Sequence, residues 1–339
     1  MAFLAELCPS KVLATIMIIF IGPNRQRHNL RGFKLFDDAP VTKHKTYNWL
    51  FRTHRLPAAT YVFTFIDRLH PRERRLASKI YHHINAAGAG FKALNDPAKS
   101  KNRLDLLKSL HTAGINDFNA YRADEAPKPA KFPVFMRYLS VSLPPVTDLI
   151  HTQVELESAI DDLAQAGEPL DDLIVIEYCS EPIVQDYFAK VSAYRVDDQY
   201  FLDFFLFDRK WYVKLRDFDI MPPDFAATEA EILRENRWID VLKNVFELAD
   251  IQYGRADFSL VNNRPQIYEI NFHPQSTLSQ YESKIPERLE IANFVARRRM
   301  DAIIAIDQKI STKAIKNIVD PEITAFRLRP WRNFAPQRY

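Results

Sequence analysis

Asp257, Glu269 and Asn271 are the residues best placed to do chemistry together. Segments 256–261 and 266–271 flank the turn-rich Asn262-Asn263-Arg264-Pro265, which is the pattern of a β-hairpin. Residues two apart on a strand share a face. Glu269 therefore goes with Asn271 and Asp257 with Ser259, while Phe258, Leu260, Tyr268 and Ile270 point the other way. Folding the hairpin brings two carboxylates and a carboxamide onto one patch. Such an all-oxygen set suits Mg²⁺, which takes few ligands from protein and fills the rest with phosphate and water. The same alternation also describes the polar outer face of an exposed hairpin. The residues alone do not choose between the two.

Three groups of elements lead up to that hairpin. Segment 12–21 is apolar and reads as a first strand. Residues 22–47 read as a long basic loop carrying Arg25, Arg27, His28, Arg31 and Lys34. A strand at 60–66 follows. A helix opened by Pro71 has its stripe at Leu76, Ile80, Ile84 and Ala87, and a third strand lies at 91–94. This is a strand–helix–strand lobe of Rossmann-like, parallel type. A second unit holds a helix through Leu104, Leu107 and His111, a strand at 132–138 and a helix opened by a Thr152–Glu155 capping box. A strand at 173–178 closes it. A third unit has strands at 191–196, 200–207 and 211–214 and one long helix from Thr228 to about 249. The hairpin and a helical stretch at 287–318 follow.

Composition removes several classes of function. Among 339 residues there are 7 glycines and 21 prolines, and neither GxGxxG nor GxxxxGK[ST] occurs, so ordinary dinucleotide and P-loop sites are excluded. Cys8 and Cys179 are the only cysteines; they form no CxxC pattern and fit a reducing, cytoplasmic setting. The apolar run at 12–21 is too short to span a bilayer. Net charge is +3, yet residues 1–110 carry 19 Lys/Arg against 7 Asp/Glu. A basic first third attracts anions. Aromatic residues do not interleave with its basic clusters as a nucleic-acid stacking surface requires, so the expected partner is an anionic small molecule or peptide, with a homodimer allowed by an apolar strand of the first lobe.

The order of elements resembles the ATP-grasp superfamily over roughly residues 1–280. Four places carry the likeness. Asn102-Arg103, Leu106-Leu107 and Gly114-Ile115 look like the segment leading into the first subdomain. Phe132-Pro133-Val134-Phe135-Met136-Arg137 looks like the Pro-Val-Val-Val-Lys strand. Ile174-Val175-Ile176-Glu177-Tyr178 looks like the linker strand that meets adenine. Arg255-Ala256-Asp257-Phe258 with Tyr268-Glu269-Ile270-Asn271-Phe272-His273-Pro274 looks like the metal-binding end. The resemblance implies an α/β and α+β chain, an ATP-grasp fold of two α+β subdomains preceded by a Rossmann-like N-terminal lobe. The implied divisions are 1–94, 95–178, 179–320 and a basic tail at 321–339.

It further implies ATP with Mg²⁺ or Mn²⁺ as cofactors. Asp257, Glu269 and Asn271 would hold the metal. Arg103, Arg137, Lys190 and Lys214 would meet phosphates, Glu177 and Tyr178 adenine, and Asp186 ribose. Arg255 and Arg137 would be the catalytic cations. His273 and the residues after it would face the acceptor. The implied reaction is a carboxylate–amine ligation through an acyl phosphate. A degenerate ATP-binding protein and an ATP-grasp phosphotransferase are the alternatives. One departure stands out: the loop 138–147, which should cover the triphosphate, has no glycine and contains Pro144 and Pro145. Ser140, Ser142 and Thr147 hydroxyls are the candidates to substitute for the missing glycine N–H groups.

Overall fold

The computed structural model describes residues 17–140, 143–214, 219–275, 283–307 and 314–328. The expected strand residues 12–16, Ser142, Ser276, Thr277 and the tail from 329 lie outside these, as do the side chains of Arg25, Arg27 and His28.

The first lobe is a parallel sheet. Strands β1 (Met17–Ile21) and β2 (Val41–Lys45) come first, then helix α1 (Tyr47–Arg52) and strands β3 (Arg55–Pro57) and β4 (Ala59–Phe63). Helix α2 (Pro71–Ala86) and strand β5 (Phe91–Leu94) complete the lobe. The order is β2-β1-β4-β5, all parallel. β1 and β4 are apolar on both faces because both faces are covered. Helix α2 starts at Pro71 and buries Leu76, Ala77, Ile80 and Ile84. Residues 22–47 are not the expected open loop. Asn24–Leu35 forms a 3-10 helix that buries Leu30 and Phe33. β2, sequence VTKHK, pairs along the edge. An edge strand with one side in solvent needs no apolar run, so its pattern is silent.

The second unit holds α3 (Arg103–Thr112), β6 (Ala120–Arg122), β7 (Val134–Tyr138), α4 (Gln153–Gln165) and β8 (Leu173–Glu177). Its antiparallel sheet runs β6-β8-β7. Thr152 caps α4 by accepting from the Glu155 N–H at 3.2 Å. The Glu155 carboxylate reaches back one residue further than a capping box expects, to the N–H of His151 at 2.8 Å.

The third unit holds β9 (Phe188–Val196), β10 (Gln199–Asp208), α5 (Phe225–Glu235) and α6 (Ile239–Ala249), then β11 (Tyr253–Val261) and β12 (Arg264–Asn271). Its sheet order is β10-β9-β11-β12, antiparallel throughout. Helix α7 (Pro286–Ala305), strand β13 (Ala314–Lys316) and helix α8 (Pro321–Leu328) follow, and β13 returns to pair with β3.

Three expectations are corrected here. Residues 211–214 are not a strand. The stretch 287–318 is not one helix, because α7 ends at Ala305 and β13 intervenes. The helix expected from Thr228 to about 249 is two helices. Asn236 and Trp238 take φ of 59° and 61° between them. Asn tolerates the left-handed conformation, and Asn236 is fixed there because its carboxamide accepts from the Leu202 N–H and donates to the Tyr200 carbonyl. The 3.6-residue pattern runs through the break because both helices bury their stripes in the same core, through Ile232, Leu233, Leu242, Val245 and Phe246.

Asn95 joins the first lobe to the third unit. At φ 65° its carboxamide donates to the carbonyls of Phe63 and Tyr253 and accepts from the N–H groups of Gln252 and Tyr253. Every polar group of this buried side chain is engaged, as burial requires.

Candidate active site

β11 is the middle of three strands that carry the polar patch. Register places Ser192, Asp257 and Glu269 in one row across β9, β11 and β12. The next row on the same face is Tyr194, Arg255 and Asn271. A type of turn with φ of 50° at Asn262 and 59° at Asn263 sets this pairing. A register shift between Asp257 and Phe258 keeps Asp257 opposite Glu269 while the strand beyond continues in a new register.

The two carboxylates are held by cations. Arg255 forks onto Asp257, Nε to Oδ1 at 2.9 Å and Nη2 to Oδ2 at 3.2 Å. The Lys190 ammonium stands 3.4 Å from Oδ2, and Ser192 donates to Oδ1 at 3.0 Å. Glu269 pairs with Arg103 and lies 3.9 Å from Arg137. Burial raises both carboxyl pKa values. The cations outweigh it, Arg255 and Lys190 holding Asp257 below its ordinary value and Arg103 and Arg137 holding Glu269 far below. The Asn271 amide nitrogen lies 3.4 Å from Asp257 Oδ2 and 3.5 Å from Glu269 Oε1. Two anionic oxygens and a carboxamide on one face fit a hard divalent cation, which takes one or two carboxylates and leaves the rest to phosphate. Both carboxylates are ionised, as metal ligation needs.

A cleft of about 840 Å³ opens beside this patch. Its two ends differ. One is aromatic and apolar, lined by Phe118, Phe135, Ile176, Tyr178 and Trp211; the other is charged, lined by Arg137, Lys190, Lys214, Asp257 and Glu269, with the Leu143 carbonyl 3.4 Å from Arg137 Nη2. Trp211 packs its ring against Phe135 at 4.8 Å and Tyr178 at 5.5 Å. Burial and the neighbouring Arg103 charge bring Arg137 down to about 10. Burial and then Arg137 lower Lys214. Mutual repulsion of crowded cations is relieved by an anion, so the charged part of the cleft suits an anionic group and the aromatic part an apolar one.

Several expected roles change. Arg255 lines neither this cleft nor the neighbouring one. Its guanidinium is spent on Asp257 and stacks on Phe204 at 5.1 Å, so it positions Asp257 rather than touching a substrate. The Glu177 side chain is structural. Its buried carboxylate accepts from the N–H groups of Asn119, Ala130 and Lys131 and from the Tyr121 hydroxyl. The Tyr178 N–H is donated to Pro133 at 2.8 Å, so Tyr178 presents its ring. Asp186 is exposed, pairs with Arg209 and does not line the cleft. In the glycine-free loop, the Ser140 hydroxyl donates to Asp172 and Thr147 Oγ1 accepts from the Met136 N–H. The loop meets the cleft with Leu143 and Pro145 instead. Cys179 lines the cleft too, but burial pushes its thiol up to about 11, which keeps it un-ionised and unreactive.

Trp211 and Tyr268 were not legible as cleft residues. Tyr268 does not point away from Glu269 as simple alternation expects: it is the extra residue at the β12 register shift and lines the same cleft, and its hydroxyl donates to the Cys179 carbonyl. No local pattern marks an aromatic residue on an irregular segment such as 211–214 as a cleft wall.

No family model matches the sequence, and no curated protein matches it. Solved structures do. D-alanine–D-alanine ligase from Bacillus anthracis, complexed with ATP, is 13% identical, with 86% of this chain and 97% of that chain covered at a TM-score of 0.49. A RimK domain ATP-grasp protein from Sphaerobacter thermophilus is 14% identical, covering 82% and 98% at 0.44. The ATP-grasp ligase PsnB, complexed with a minimal precursor, is 13% identical, covering 87% and 100% at 0.46. Two of these three carry the ATP-grasp name. Among the described residues no helix is long and apolar enough to cross a membrane.

Proposed function

We propose that this chain is an ATP-grasp ligase that uses ATP to join a carboxylate to an amine. The observation that carries the reading is the pairing of the aromatic slot with the row Asp257–Glu269, ringed by Arg103, Arg137, Lys190 and Lys214. The base lies in the cleft against the aromatic wall that Trp211, Phe135 and Tyr178 build together, and the polyphosphate lies along Arg137, Lys190 and Lys214. Asp257, Glu269 and Asn271 would hold Mg²⁺, and the chemistry it would supply is neutralisation of charge on the phosphoryl group.

In the first step a substrate carboxylate oxygen attacks the γ-phosphorus. The bond to the β–γ bridging oxygen breaks and ADP leaves. In the second, an amine attacks the acyl carbon, phosphate leaves and the amine loses a proton. This chain's part is positioning and charge. Arg137 and Arg103 meet oxygens on which negative charge builds, in a half-buried site where such contacts are strong. Arg255 keeps Asp257 ionised and aimed. No protein nucleophile enters.

The test is ADP release by purified protein with ATP, Mg²⁺ and a carboxylate panel, with hydroxylamine as the amine. Hydroxylamine converts an acyl phosphate to a hydroxamate and phosphate. Carboxylate-dependent hydroxamate with equal ADP supports the reading. Phosphate transfer to a hydroxyl would replace it with the phosphotransferase.

A further inference from the structure

A second cleft, of about 600 Å³, lies on the other side of Glu269. The first lobe supplies Phe65, Asp67 and Arg68. Lys101 and Arg103 come from the start of α3, Ser140 from the loop after β7, and Asn271 and His273 from the end of β12. The two clefts share Glu269. A ligand in the second cleft therefore meets the polyphosphate end of the first.

Its cations are unequally committed. Arg103 is held by Glu269 and by the Tyr138 carbonyl. Arg68 and Lys101 have no ion pair among the described residues, whereas Arg137, Lys190 and Arg255 on the other side of Glu269 each face a carboxylate. The Arg68 Nε is buried with no hydrogen-bond partner, which is costly unless something supplies one. Its guanidinium is propped 5.3 Å over the Phe65 ring. Phe65 itself sits at φ 54°, a conformation that costs free energy for a non-glycine residue. Asp67 is the carboxylate next to Arg68, close enough to feel its charge but not paired with it. The turn 65–68 thus holds a guanidinium at the cleft wall with its hydrogen-bonding capacity unfilled.

The geometry points to a substrate with two acidic groups. The reacting carboxylate sits at the Glu269 end, toward the polyphosphate. The second acidic group is received by Arg68 and Lys101. This inference rests on the proposed ligase reading for the identity of the reacting end, but not for the existence of the second anion site. A guanidinium fork and an ammonium suit either a carboxylate or a phosphate at the far position; the shared chemistry is an anionic terminus.

Calorimetry with three five-position probes tests it directly: glutarate, 4-phosphonobutyrate and valerate, titrated into the full chain with and without Mg-ATP. The inference expects at least one of the two dianions to bind at least tenfold more tightly than valerate, with glutarate favoured over the phosphonate if the far group is a carboxylate. Arg68→Lys and Lys101→Gln should each remove most of that preference, with the thermal midpoint and Mg-ATP affinity unchanged. Equal binding of glutarate, phosphonate and valerate overturns it, as does a preference that survives both substitutions. Dianion preference without Mg-ATP binding would keep the second anion site and sink the ligase reading. Mg-ATP binding without dianion preference would do the reverse.

Discussion

Asp257 and Glu269 stand opposite each other across β11 and β12, and each is already neutralised by its own cations. Asp257 has Arg255 and Lys190; Glu269 has Arg103 and Arg137. A metal ion approaching this pair alone must displace positive charges. A polyphosphate draws Lys190, Arg103 and Arg137 toward itself and frees carboxylate oxygens. Metal and nucleotide should therefore bind with strong mutual support, because each coupling is reciprocal. Mn²⁺ titrated alone, followed by electron paramagnetic resonance, should bind at least tenfold more weakly than in the presence of a non-hydrolysable ATP analogue, a coupling of about 1.4 kcal/mol or more. Equal affinities would contradict this.

Arg103 gives that coupling a signature. Arg103→Ala removes a phosphate partner and also unmasks Glu269. The nucleotide should bind roughly tenfold more weakly, while Mn²⁺ alone should bind more tightly. Arg103→Lys keeps the charge and loses the fork, so it should fall between the two. Both effects are read from the same pair of titrations.

Much of this was legible in the sequence, for an identifiable reason. The Asp257–Glu269–Asn271 patch follows from strand alternation plus a short turn, both local properties, and the register bears the placement out. The apolar strands β1, β4 and β8 and helix α2 announce themselves by burial. What stayed hidden depends on partners distant in the chain. Glu177 looks like a binding residue until the loop at 119–131 is seen to consume its carboxylate. Arg255 looks like a substrate cation until its fork is found on Asp257. The break at Asn236 is invisible because both helices keep one apolar phase.

Glu177 should behave as a structural residue. Glu177→Ala leaves the N–H groups of Asn119, Ala130 and Lys131 without their acceptor in a buried place, at a cost of about 3 kcal/mol. Denaturant melts should show that loss. The folded fraction of the variant should bind ATP with nearly wild-type affinity. A selective loss of ATP binding at unchanged stability would return Glu177 to the binding site.

Asp307, just past α7, provides a pH test. Burial pushes its carboxyl up to about 6, against a partial offset from the Met17 backbone, and its Oδ1 has no side-chain partner. A carboxyl raised in the folded state favours folding when protonated. Its contribution is full below about 4 and is lost as pH rises through 6. Asp307→Asn should therefore stabilise the protein at pH 7, by about 1 kcal/mol after allowance for solvent screening. The gain should shrink toward zero at pH 4. Thermal melts of both proteins across that range give the comparison.

The central claim is that the Asp257–Glu269 row binds the metal of a bound nucleotide. Calorimetric titration of ATP, with and without Mg²⁺, into the wild type and the Asp257→Ala, Glu269→Ala double variant tests it most directly. The wild type should bind ATP much more tightly when Mg²⁺ is present. The double variant leaves Arg255, Lys190, Arg103 and Arg137 without their carboxylates, so its thermal midpoint should fall. Titrated well below that midpoint, the folded variant should bind ATP with no Mg²⁺ enhancement. A folded double variant that binds Mg-ATP as tightly as the wild type would show that these carboxylates do not hold the metal.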